Sequence, residues 1–313
     1  MEHTVEEAVS YCQAGRIRLA YSDESSASGG HLLLFVHGLG QQLTAWPRTL
    51  VQRLLRKGYR IVRLDNRDVG LSSRLQGKPK TAWLYLLSTL GWAGRAPYTL
   101  DDMADDLCAL IEHLRAGPVH VIGASMGGMI CQIAASRQPH LVCSLTSIMS
   151  SSGDHRLPKA RADVLRHIMS PPQPPTAAGA LAHGVKSWQL IGSPYYPTPR
   201  HVLEERVAHD LQRGHPEAGG TERQFAAILA SGSRVPLLRH VQAPSLVIHG
   251  AADPLVPLEA GLHVYENTPG ARLKVIEGMG HDFPEALCPT IADLIDEHVQ
   301  ASLCSATSAG DRP

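Results

Sequence analysis

The 313-residue chain predicts an α/β protein built on a mostly parallel sheet. Three observations carry that prediction. Short apolar runs alternate with stretches of helical periodicity, the pattern of parallel strands joined by covering helices. Several apolar runs end in glycine-bearing loops that each present one reactive side chain, and ligands of such sheets bind at the carboxyl ends of the strands. The alternation stops between about 154 and 240 and then resumes, which marks an insertion.

Taken in order, Gly15 to Tyr21 reads as an early strand paired with the segment before it, and Ser22 to Gly30 as a polar turn. Strand 32–37, helix 44–57, strand 60–65, helix 100–115, strand 118–123, helix 126–138 and strand 141–149 follow. Helix 100–115 has Met103, Leu107, Leu110, Ile111 and Leu114 at helical spacing, and Thr99 with Asp102 forms a capping-box pattern at its start. Strands before Gly250 and from Arg272 to Glu277 close the pattern. Residues 1–153 and 241–313 are therefore read as the core and 154–240 as a helical lid, with helices around 176–190, 199–213 and 221–231. Trp188, Tyr195, Tyr196 and Phe225 in the lid are candidates for an apolar pocket, with internal packing the competing reading. The apolar segment 80–92 is read as substrate mouth or packed loop helix, with Trp83 and Tyr85 as candidate contacts. The residues from about Ser302 to Pro313 read as a disordered tail.

Composition excludes several classes. Lys plus Arg and Asp plus Glu both number 29, so the formal net charge is zero and nothing marks a nucleic-acid or acidic-membrane partner. No apolar run is long enough to span a bilayer, and the acidic segment Met1–Glu7 lacks the apolar stretch of a secretory signal. The six cysteines are scattered without a C-x-x-C pair, so buried reduced thiols and a cytoplasmic protein are expected. No histidine or carboxylate cluster has metal-ligand spacing. A homo-oligomer stays open.

The chemistry concentrates in four loops. Gly123-Ala124-Ser125-Met126-Gly127 follows an apolar run and precedes a helix-compatible one, the layout of a strained turn that lifts a serine hydroxyl to a helix N-terminus. Alone, such a pattern arises by chance in roughly one chain of this size in ten, so its context decides. Leu32 to Gly40 reads as a strand ending in a glycine-bracketed turn, where the Leu39 amide, with the amide of Met126, is a candidate pair of oxyanion donors. His37 in that turn is read as structural. Ser245 to Pro257 runs from a strand into a loop presenting Asp253, and Val275 to Pro284 runs from a strand into a loop presenting His281. The order serine, acid, histidine with a strand before each fits a nucleophile, orienting acid and base. Asp154, after strand 141–149, is the rival acid. In this scheme His281 takes the Ser125 proton and returns it to the leaving group, Asp253 fixes the imidazole tautomer, and water completes the cycle.

These residues carry a resemblance. Asp65 to Ser73, Ala96 to Ala104 and Gly123 to Ile130 resemble bacterial carboxylesterase-like proteins of the α/β-hydrolase superfamily, related to the aclacinomycin methylesterase group. The resemblance implies the α/β-hydrolase fold: a mostly parallel sheet of about eight strands with an inserted helical lid. It further implies a small-molecule ester substrate and no cofactor. It carries the nucleophile to Ser125, the acid to Asp253, the base to His281 and the oxyanion amides to Leu39 and Met126. Arg67 and Asp68 are read as structural. Ser125 argues against epoxide hydrolases and haloalkane dehalogenases, which resemble sequences with aspartate at that position. C–C bond hydrolase, thioesterase and perhydrolase activity use the same triad and remain alternatives, as does a non-catalytic small-molecule receptor.

Overall fold

The computed structural model describes residues 8–25, 30–214 and 219–310. Its strands are β1 (Val9–Ala14), β2 (Ile17–Ser25), β3 (Leu32–Val36), β4 (Arg60–Leu64), β5 (Val119–Ala124), β6 (Val142–Ile148), β7 (Ser245–Gly250) and β8 (Arg272–Ile276). They form one eight-stranded sheet in the order β1-β2-β4-β3-β5-β6-β7-β8. The β1–β2 and β2–β4 pairs are antiparallel and the pairs from β4 to β8 are parallel. The helices are α1 (Arg48–Arg56), α2 (Thr81–Thr89), α3 (Leu100–Leu114), α4 (Met126–Arg137), α5 (Ala162–Ile168), α6 (Ala177–Ile191), α7 (Arg200–Arg213), α8 (Gly220–Ser231), α9 (Val235–Leu238), α10 (Leu258–Asn267) and α11 (Cys288–Gly310).

Burial explains the continuous apolar runs of the central strands. All five residues of β3 are buried, and their side chains alternate between two cores. Leu34 and Val36 join Leu107, Leu110, Ile130 and Ile133 from α3 and α4 on one face. Leu33 and Phe35 join Leu50, Leu54, Ile291 and Ile295 from α1 and α11 on the other. The capping box of α3 forms as its sequence pattern predicts: Thr99 N donates to Asp102 Oδ2 (2.7 Å) and Asp102 N donates to Thr99 Oγ1 (3.3 Å).

Three boundaries differ from expectation. The segment from Ser22, expected as a polar turn, continues β2 as far as Ser25, because its backbone pairs with Arg60–Arg63 of β4. The helix expected over 44–57 is a 3₁₀ turn, Leu43–Ala45, followed by α1, because Pro47 sits at the N-cap and restricts the residue before it. The tail expected from about Ser302 instead continues α11 as far as Gly310. Ile291, Ile295 and Val299 seat that helix against the core, and extending an existing helix needs one residue per new hydrogen bond. Residues 311–313 lie outside the described residues.

The region 154–240 is helical and packs in two ways. Val164, Val185, Trp188, Ile191, Leu203 and Val207 from α5, α6 and α7 form a small core of their own. α8 differs, since its Ala227 belongs to the main core together with α3 and α4. α2, within the segment 80–92, packs against α8.

Candidate active site

β5 delivers Ser125. The serine has φ 54° and ψ −120°, a left-handed conformation costly for any residue with a Cβ, and it stands directly before α4. The flanking glycines are required by space. A Cβ on Gly123 would lie 2.4 Å from Gly127 O, and one on Gly127 would lie 2.0 Å from Val36 O. β6 holds the turn in place: Ser125 N donates to Ile148 O (2.9 Å), and Ser150 Oγ donates to Ser125 O (2.8 Å).

The loop after β3 lies against this turn. A Cβ on Gly38 would come within 3.0 Å of Ser125 Cβ and 3.5 Å of its Oγ. Within the loop, Gln41 N donates to Gly38 O (3.2 Å). Asn66 Nδ2 donates to His37 O (3.0 Å), tying the loop to β4. The amides of Leu39 and Met126 donate no hydrogen bond to any described residue. His37 itself is structural. Gly38 N donates to its Nδ1 (2.7 Å), so the ring hydrogen sits on Nε2. Burial pushes its pKa down to about 3, helped by the charges of Arg206 and His281, and this neutral ring packs on Trp46 and Phe283.

Asp253 and His281 meet. His281 Nδ1 donates to Asp253 Oδ2 over 2.6 Å, which leaves Nε2 free to accept a proton. Asp253 Oδ1 accepts from Leu255 N (2.9 Å) and Val256 N (2.8 Å), so the carboxylate is fully engaged. The two loops interlock. Ala252 N donates to Met279 O (3.0 Å), and a Cβ on Gly250 would lie 2.2 Å from that same oxygen. The insertion also grips the histidine loop, through His281 N donating to Ile191 O (2.7 Å). The Ser125 hydroxyl makes no hydrogen bond to His281 or to another described residue. Catalytic hydrogen bonds are often long before substrate arrives.

The rival acid is engaged elsewhere. Asp154 forms a two-pronged pair with the Arg156 guanidinium (2.9 and 2.8 Å), which holds its carboxyl far below the usual carboxylate range. Arg67 pairs with Asp106 (2.6 Å), and Asp68 accepts from Arg223 (2.9 and 2.7 Å) and the Tyr98 hydroxyl (2.8 Å), so both residues of that loop hold structure.

Sequence reasoning missed three features of the site. His249 lies 3.6 Å from Asp253 Oδ2 on the side away from solvent. Its Nε2 donates to Val256 O (2.8 Å), and burial lowers its pKa against the pull of Asp253, so it is a neutral neighbour of the acid. Asp282 is buried beside His281, accepts from Ser193 Oγ (2.5 Å), and has its pKa raised by burial. Gln224 of α8 reaches the loop after β3. A histidine at the end of β7, four positions before Asp253, could have been flagged locally; the other two depend on partners more than eighty positions away.

A cavity of about 480 Å³ opens at the seam of insertion and core. It reaches Asp282, and Ala252 and Pro254 on either side of Asp253, but Ser125 does not line it. Trp188 lines it, whereas Tyr195 is 73% exposed and lies over Gly278, and Tyr196 packs on the apolar core. Phe225 is half-buried and Trp83 is exposed on α2. Among the described residues, no three His, Cys, Asp or Glu side chains stand together as a metal site, and no helix is long and apolar enough to cross a membrane.

Comparison with known proteins gives the family. The model for the alpha/beta hydrolase fold matches residues 31–285. The chain belongs to the alpha/beta hydrolase family. It is similar to rhodomycin D methylesterase DnrP of Streptomyces peucetius, 27% identical over 86% of this chain and 91% of that protein. It is also similar to 2-hydroxy-6-oxononadienedioate/2-hydroxy-6-oxononatrienedioate hydrolase of Paraburkholderia xenovorans, 23% identical over 85% of each chain. Among solved structures, an esterase from Exiguobacterium antarcticum superposes with a TM-score of 0.73 over 94% of this chain and all of that one, at 20% identity.

Proposed function

We propose that this alpha/beta hydrolase is a serine esterase that cleaves small-molecule carboxylic esters through an acyl-enzyme. The observation that carries the reading is the 2.6 Å bond from His281 Nδ1 to Asp253, which leaves Nε2 as a base at the sheet edge that also carries the strained Ser125. Ser125 Oγ attacks the ester carbonyl as Nε2 takes its proton. Asp253 stabilises the imidazolium, which then protonates the departing alcohol. The unengaged amides of Leu39 and Met126 receive the oxyanion, and loss of one such donor typically costs about 3 kcal/mol. Water, activated by the same imidazole, releases the acid.

The likeness to a methylesterase supports an ester with a small alcohol group. A second reading, cleavage of a C–C bond, draws on the relative named as an oxononadienedioate hydrolase and would use the same triad. Turnover of p-nitrophenyl acetate and butyrate against turnover of a vinylogous 1,5-diketone separates the two. Ester turnover that vanishes in Ser125→Ala supports the esterase reading. Diketone cleavage without ester turnover supports the second, and ester turnover that survives Ser125→Ala overturns the serine mechanism.

A further inference from the structure

The insertion does more than cover the strand ends, because one of its side chains enters the hydrogen bonding of the loop after β3. Gln224 lies on α8 and is completely buried. Its Oε1 accepts from Gly40 N (2.8 Å) and its Nε2 donates to Arg67 O (2.7 Å). A backbone N–H can only donate and a carbonyl only accept, so these two partners fix the amide's orientation. One turn earlier, Thr221 presses on the same residue: a Cβ on Gly40, whose φ is +69°, would lie 3.0 Å from Thr221 Oγ1.

Peptide planarity turns this contact into a constraint on the neighbouring donor. Leu39 N–H shares a rigid trans plane with Gly38 C=O, and the two point in opposite directions. Gly38 O is held by Gln41 N, so one edge of that plane is anchored. The next plane joins Leu39 C=O to Gly40 N–H, and its anchor is Gln224. With both planes held, the Leu39 amide has a set direction while donating to no described residue.

We infer that Gln224 is a positioning residue that aims the Leu39 N–H, so that the seating of the helical insertion sets the oxyanion hole. The inference rests on the serine-esterase reading above. α8 has an independent anchor next door, the double hydrogen bond from Arg223 to Asp68, so a change at Gln224 leaves the helix docked.

The experiment uses the full chain with Gln224→Met, which removes both hydrogen bonds at similar volume, and Gln224→Glu, which keeps the acceptor for Gly40 N–H but loses the donor to Arg67. The measurements are kcat and KM for p-nitrophenyl butyrate, thermal unfolding, and inhibition by an alkyl trifluoromethyl ketone, whose tetrahedral adduct places an oxyanion in the hole. Expected for Gln224→Met is a fall in kcat of about 10- to 100-fold with KM within about twofold, and a matching loss of affinity for the ketone. Gln224→Glu is expected to fall between that variant and the unaltered protein. Unchanged kcat and ketone affinity in either folded variant would overturn the inference, as would a rise in KM alone or a fall in Tm with kcat intact. Ser125→Ala is the separate control: if it keeps full turnover, the serine mechanism itself fails, whatever Gln224 does.

Discussion

The strand-end loops and the insertion treat their polar groups in opposite ways. At the strand ends, the Ser125 hydroxyl and the Leu39 and Met126 amides have no hydrogen-bond partner among the described residues. In the insertion, several buried polar groups are hydrogen-bonded to the core. Arg213 Nη1 donates to Asp65 Oδ2 (2.8 Å), Arg223 clasps Asp68, and Gln224 satisfies a backbone donor and a backbone acceptor. Unpaired polar groups raise free energy in the folded chain, whereas matched ones remove the penalty of burial. On the proposed serine mechanism the bonds left unmade await a reacting oxygen, whereas the bonds made across the seam hold the helices of the insertion against the core.

Four measurements test that contrast. The largest effect belongs to the unpaired side. Ser125→Ala should lower kcat for a p-nitrophenyl ester by at least about 10⁴-fold while thermal unfolding stays near that of the unaltered chain. A smaller loss would mean that the strained serine is not the nucleophile.

On the paired side, Arg223→Met should destabilise the fold by about 3–5 kcal/mol in urea unfolding, because it strands the Asp68 carboxylate at 0% exposure. Pairing it with Asp68→Asn should recover much of that loss. Additive losses in the double variant would show that the two groups do not act as a unit.

A third test uses pH. Burial lowers the pKa of His120 to about 4 from its ordinary 6.5. The unfolded chain therefore takes up this proton before the folded one does, so the stability is present above about pH 6.5 and is lost as pH falls toward 4. Roughly 3 kcal/mol should disappear over that window from this one ring. The carboxyls of Asp65, Asp106 and Asp282 are pushed upward by burial and act with the opposite sign, so the comparison must be with a variant. Urea unfolding of His120→Asn at several pH values should show a shallower acid slope; an unchanged slope refutes the assignment.

The smallest effect is expected at an exposed pair of the insertion. Arg200 and Glu204 form an i,i+4 pair on α7, with side chains 72% and 42% exposed. Replacing either with alanine should move Tm by less than about 2 °C, since solvent screens such pairs. A larger shift would mean that the insertion's outer face matters more to its seating than the buried clasps do.

Legibility followed sequence distance. Ser125, Asp253 and His281 each stand just past an apolar run, and the hydrogen bond between the last two spans only 28 positions. The alternation of strands and helices, the capping box at Thr99 and three helices of the insertion, α6, α7 and α8, were readable for the same reason. α5, α9 and α10 were not; they run for only 7, 4 and 10 residues, which gives a helical period little length in which to show. The aromatic residues of the helical region 154–240 sorted apart on folding, with Trp188 against the cavity and Tyr195 outside it. Nothing near Gln224 or Arg223 signals partners 184 and 155 positions away.

The chain's own pattern was enough to determine the layered architecture and to place Ser125, Asp253 and His281 just past strands, because hydrophobic periodicity and the steric needs of tight turns act over a few neighbouring residues. Which carboxylate meets the imidazole, how the loop after β3 is aimed and how the covering helices are clasped were decided only on folding. Hydrogen bonds and ion pairs require contact within about 3 Å, and only the closed sheet brings together groups from opposite ends of the polypeptide.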